Sequence, residues 1–220
     1  MASRPSVVAD IQPSGYRFAI AGLTMTLYYT FGLSIFVISP VAPLIMSDYG
    51  INRSTASLLV GLVLLLQASL SIPGGMLANR VSLKWLIAAS SLAVSAPILT
   101  FAAPSFSVLL AVRLVYGLAS AFLMPSIAPL LMQWFRPKEM PLVNGLNMSF
   151  FSMGMATSAF AAVPLADLLG WKVALSFFGA LSLLGAVAWI SFGKTRREVH
   201  VRTSHMPLKD ALRVVRSRST

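Results

Sequence analysis

Six apolar runs, each long enough to cross a bilayer, constrain this chain more than any other feature. A spanning helix needs about 20 mostly apolar residues. Runs of that kind occupy roughly 18–45, 55–78, 84–103, 106–132, 141–166 and 172–193. Only 10% of the 220 residues are charged and 57% are apolar, against about a quarter charged in a soluble domain. Hydrocarbon offers no partner to an unpaired backbone group, so open strands are excluded. No alternation of the membrane-barrel type is present. The expected fold is an all-α membrane protein of six transmembrane helices. Residues 1–17 form an N-terminal lead, 18–193 the bundle and 194–220 a basic connecting segment. The first run has no small-residue cleavage pattern behind it and reads as a retained span rather than a removed signal.

The connections are short, so successive helices run antiparallel, and the basic residues set their direction. With the N-terminus inside, the inner segments carry Arg4, Arg17, Arg80, Lys84, Arg136, Lys138 and eight more between Lys194 and Arg218. The outer loops carry Arg53 and Lys172 alone. Fourteen against two places both termini in the cytoplasm of a multi-pass protein of the plasma or inner membrane. The formal charge of +11 is then a topology signal, and no nucleic-acid partner is expected. In the tail, Leu208, Ala211, Leu212 and Val215 recur at the spacing of an amphipathic helix. Its basic face suits an anionic leaflet, and a solvated linker accounts for the same residues.

Several chemistries are excluded. There is no cysteine, and His200 and His205 both lie in the tail. No cofactor or metal site is expected, and no motif of an intramembrane hydrolase or protease is present. The reading is therefore of a non-enzyme.

One stretch breaks the apolar pattern. GGMLANRVSLKW, residues 74–85, packs two glycines, Asn79, Arg80 and Lys84 into the turn between spans two and three. GMLANRVSLK resembles the signature between helices two and three of the major facilitator superfamily, Gly-x-Leu-Ala-Asp-Arg-x-Gly-Arg-Lys. Gly75, Leu77, Ala78, Arg80 and Lys84 match it, whereas Asn79, Ser82 and Leu83 depart. RLVYGLASA at 113–121 resembles the family's helix-four pattern through Arg113 and Gly117. LGWKVAL at 169–175 resembles the Gly-Trp-Arg opening of helix six, and QWFRPKE at 133–139 the loop between helices four and five. The resemblance implies a secondary transporter working by alternating access, with the loop at Gly75, Asn79, Arg80 and Lys84 as a gate latch and Gly117 packing helices. Asn79 in place of Asp removes an ion pair from that latch. The antiporter element of helix five, of the Gly-Pro-x-x-Gly-Gly type, is absent.

Arg113 is the one basic residue inside a span, roughly 10 Å below the outer surface at 1.5 Å per residue. An arginine there costs about 2.5–3.5 kcal/mol on insertion scales. Arg113, Tyr116, Gly117 and Ser120 share one helix face. No acid lies within the spans proper, since Asp48 and Asp167 sit at outer ends. Two readings follow: Arg113 binds an anionic solute, or it satisfies backbone carbonyls. Tyr29, Gln67, Tyr116 and Asn147 complete the candidate solute-binding set, with interhelical hydrogen bonding as the alternative for each.

Family members have two six-helix halves with the site between them, and this chain supplies one. Its expected partners are the lipid bilayer, a small solute, most simply an organic or inorganic anion, and a second six-helix half. That half is either a missing C-terminal part or a second copy. The competing reading is a six-helix scaffold or sensor acting through its basic tail. Topology is checked by cysteine labelling in this cysteine-free chain. Cysteines at position 80 and in the tail should react from one side of the membrane and a cysteine at 172 from the other. Opposite sidedness for position 80 and the tail would remove the assignment.

Overall fold

The computed structural model describes residues 14–196. Helix α1 spans Tyr16–Phe36, α2 Ile38–Tyr49, α3 Arg53–Ala78 and α4 Leu83–Val94. A 3-10 segment, Ala96–Ala102, follows, then α5 (Phe106–Met132), α6 (Met140–Leu169) and α7 (Trp171–Phe192). Among the described residues there is no strand. Among the same residues, six helical stretches are long and apolar enough to cross a membrane, with α1 and α2 together forming the first and α4 with the 3-10 segment the third.

Local chemistry explains the ends. Asn52 Oδ1 accepts the Thr55 amide at 2.8 Å and starts α3, as an N-cap does. Pro141 lies in the first turn of α6, where its missing N–H is no loss. Gly170 has φ +84° and lets α6 turn into α7 across one residue, a conformation that a side chain would strain.

Two spans depart from the continuous helices their composition suggests. The first breaks at Val37 and carries on to Tyr49. Pro40 and Pro43 lack the N–H that the carbonyls four residues back would take. The third switches to 3-10 geometry after Ser95, with Pro97 in the first turn of the new segment.

The closest partnerships are α3 with α5 and α1 with α6. Both rest on missing side chains. A Cβ at Gly154 would run into the Tyr29 carbonyl, one at Gly32 into the Phe151 carbonyl, and one at Gly74 into the Ala121 carbonyl. Small residues bring membrane helices near enough for dispersion and Cα–H contacts. Helix α7 seals the other side of α1 and the 3-10 segment, with Trp189 and Phe178 fully buried.

Both ends of span one are fastened. At one end, Arg17 pairs with Glu139 at 2.9 Å. The Arg136 amide, bonded to Glu139 Oε2 at 2.9 Å, and the Arg17 charge hold this carboxyl below the usual carboxylate range. At neutral pH it is therefore ionised and the link is made. At the other end, Lys172 reaches Asp48 at 3.3 Å and lies over the Tyr49 and Trp171 rings.

Burial is uneven. In the most apolar windows of α3 and α6, 17% of residues are buried, against 50–56% in the other spans. These two helices each hold one neighbour closely, touch α2 and, for α6, α7 less extensively, and leave much of their surface uncovered. A Gly154→Ala substitution should destabilise the bundle by about 1–3 kcal/mol, the usual cost of overpacking. Gly22→Ala, where a Cβ meets nothing within 4 Å, should leave the melting temperature in detergent unchanged. Equal melting of the two variants would contradict the α1–α6 packing described here.

Candidate functional site

The break in span one creates a chemical problem inside the membrane. The last carbonyls of a helix have no intrahelical partner, and hydrocarbon supplies none. Arg113 answers it. Its Nη1 donates to the Ser34 carbonyl at 2.8 Å and its Nη2 to the Ile35 carbonyl at 2.9 Å. Its Nε reaches across to the Leu59 carbonyl of α3 at 3.3 Å. One guanidinium thus joins α5, from which it projects, to the last turn of α1 and to α3. A cation at a helix C-terminus is also favoured by the helix dipole. Arg113 is fully buried, and among the described residues it has no acidic partner.

Tyr116 stands one turn along α5, its ring centre 5.1 Å from the Arg113 Cζ. Its hydroxyl donates to the Phe31 carbonyl at 3.0 Å. Its ring stacks on Phe31 at 5.7 Å, and Phe31 stacks in turn on Phe151 of α6 at 5.5 Å. A column of three rings therefore runs from half-buried Phe151 to the buried guanidinium. Below Tyr116, Gly117 packs against Val63 of α3, where a Cβ would stand 3.0 Å from the Val63 Cα.

The other candidates are dispersed. Asn147 is buried against α1, its Oδ1 3.2 Å from the Thr24 hydroxyl, and its Nδ2 has no partner. Tyr29 donates to the Thr157 hydroxyl at 3.3 Å, across the same helix pair. Gln67 lies half-buried on α3, one turn beyond Val63. Arg113 and Tyr116 are thus brought together. Asn147 and Tyr29 face α1–α6 partners, and Gln67 stands on the sparsely covered helix. Sequence reasoning did not find the Ser34, Ile35 and Leu59 carbonyls or Phe31. Pro40 and Pro43 free the carbonyls four residues back, Phe36 and Ser39, so they mark the irregular span but not the Ser34 and Ile35 carbonyls that Arg113 meets.

In the turn between α3 and α4, Asn79 ends α3 through its backbone amide, bonded to the Met76 and Leu77 carbonyls. Asn79 and Arg80 are exposed. Gly75 lies 3.7 Å, measured from an ideal Cβ, from the Pro125 side chain. Lys84, the second residue of α4, offers its carbonyl to Trp189 Nε1 at 3.2 Å. Among the described residues neither Arg80 nor Lys84 forms an ion pair.

These features define a polytopic helical membrane protein built from close helix pairs with two uncovered spans. The chain belongs to the Major Facilitator Superfamily, whose sequence model matches residues 24–219. It is 23% identical over 205 residues to the uncharacterized protein Cj0987c of Campylobacter jejuni, covering 93% of this chain and 63% of that one. It is 26% identical over 161 residues to the probable nitrate transporter NarT of Staphylococcus aureus, covering 73% and 41% respectively. Its fold matches a solved bacterial homolog of the human lysosomal transporter Spinster, in an inward-facing, unoccupied conformation, with TM-score 0.75 and 18% identity. That match covers 93% of this chain and 50% of the other. The chain thus spans about half the length of the proteins it resembles.

The Tyr116 hydroxyl and ring can be separated by mutation. Tyr116→Phe should cost about 1 kcal/mol, the worth of a typical hydrogen bond. Tyr116→Ala should cost about 3–5 kcal/mol through the cavity it opens. Unfolding in denaturant of the detergent-solubilised protein reads both, and equal losses would mean that the ring column contributes nothing.

Proposed function

We propose that this chain is one six-helix half of a secondary transporter that moves a small anion by alternating access. The observation that carries this reading is the charge of Arg113, buried in the bundle with carbonyls and a ring around it and, among the described residues, no carboxylate. Carbonyls satisfy its donors without cancelling its net charge. In a medium of low dielectric that charge reaches further than it would in water. A solute path beside it favours anions and disfavours cations. The name of the Staphylococcus aureus relative, a probable nitrate transporter, points the same way.

In this reading Arg113 acts on the solute through its field, because its fork is committed to Ser34, Ile35 and Leu59. Gln67, half-covered on α3, is the side chain assigned to solute contact. The uncovered surfaces of α3 and α6 receive a second six-helix unit, in keeping with relatives about twice as long as this chain. The membrane is a bacterial inner membrane, with both ends of the bundle's chain on the cytoplasmic side.

A charge-selective reagent tests the field without requiring turnover. In the Gln67→Cys protein, the rates of modification by an anionic and by a cationic methanethiosulfonate are compared. The anionic-to-cationic ratio should fall severalfold when Arg113→Gln is added and stay near its starting value with Arg113→Lys. A ratio indifferent to Arg113→Gln in folded protein would overturn the anion assignment.

A further inference from the structure

The loop Gln133–Glu139 between α5 and α6 makes more contacts than a connection needs. The chain leaving α7 lies across it. Trp134 is buried, and its Nε1 donates to the Lys194 carbonyl at 3.2 Å. The guanidinium of Arg196 stacks on the Trp134 ring, with Cζ 4.4 Å from the ring centre. The Arg196 amide donates to Gln133 Oε1 at 3.0 Å. Residues 194–196 are therefore held through one carbonyl, one amide and one cationic face, all by two adjacent residues of this loop.

The same cluster reaches α1. The Tyr16 ring packs on Trp134 at 5.7 Å. Its hydroxyl donates to the Phe192 carbonyl at the end of α7. Lys194 Nζ lies 4.5 Å from the centre of the Tyr16 ring. Glu139, at the far end of the loop, holds Arg17 of α1. The beginning of α1, the end of α5, the beginning of α6 and the end of α7 thus share one set of contacts.

We propose that Gln133 and Trp134 form a docking receptor for residues 194–196, and that the docked strap couples the connecting segment to the first turn of α1. Several physical points support this. Indole N–H to carbonyl and amide to side-chain carbonyl are directional bonds that fix the strap's register. Stacking of the Arg196 guanidinium on an indole face adds a cation–π attraction. A strap anchored in this way delivers any displacement of the following segment to spans one and four rather than to α7 alone. The stretch QWFRPKE then has a role residue by residue: Gln133 and Trp134 receive the strap, and Glu139 secures α1.

Hydrogen–deuterium exchange on the full chain in lipid nanodiscs tests both parts. For docking, the peptide containing residues 194–196 should exchange at least tenfold faster in Trp134→Ala than in the unsubstituted protein. Gln133→Ala should accelerate the Arg196 amide in particular. Arg136→Ala, which leaves the backbone amide bonded to Glu139 in place, should change neither. For coupling, the combined Lys194→Gly, Thr195→Gly and Arg196→Gly protein keeps Trp134 and Tyr16. It should nonetheless exchange severalfold faster in the first turn of α1. Strap exchange already at the rate of an unstructured peptide, or unaltered by Trp134→Ala while the helices stay protected, would overturn the receptor. An unaltered first turn of α1 in the triple variant would overturn the coupling. Neither result depends on which solute is carried.

Discussion

Everything in this bundle answers to one constraint: in hydrocarbon, a backbone carbonyl without a donor has nowhere to turn. Five of the six spans meet it mostly within their own helices. The first cannot, because it breaks at Val37 with two prolines following. Its carbonyls at Ser34 and Ile35 are met from outside by Arg113. A neutral side chain with fewer donors could not serve two carbonyls of α1 and one of α3 at once. The guanidinium fork does so and introduces a positive charge in the same act.

The remaining architecture is arranged around two close pairs. Glycines at 32 and 154 bring α1 and α6 together, and those at 74 and 117 bring α3 and α5 together. The column Tyr116–Phe31–Phe151 ties the second helix of one pair to both helices of the other. Helices α4 and α7 and the 3-10 segment then cover the back. The two helices left with open surfaces, α3 and α6, belong to different pairs. Their open surfaces therefore lie on both pairs rather than on one.

How much of this could be read from the chain alone depends on whether the cause is local. The spans were legible because hydropathy acts within a few residues of the chain. The family followed from GMLANRVSLK and RLVYGLASA, whose residues stand at recognisable spacing. Arg113 stood out as a buried charge without an acid, yet its carbonyl partners did not, since they lie more than fifty positions away in sequence. The 3-10 turn at Pro97 was missed because a single proline near a helix end is compatible with several outcomes. Gln133 and Trp134 were recognisable as a loop, but nothing near them in sequence announces the strap that they hold.

By itself, then, the amino-acid order decided the solvent, the helical character and the number of crossings, because each apolar run must satisfy its own backbone in lipid whatever its neighbours do. Only the folded bundle decided which helix stands against which, where the guanidinium of Arg113 points and what Trp134 receives. Those outcomes depend on distances between residues remote in the chain. They are set when surfaces with and without side chains come together, not when each helix forms.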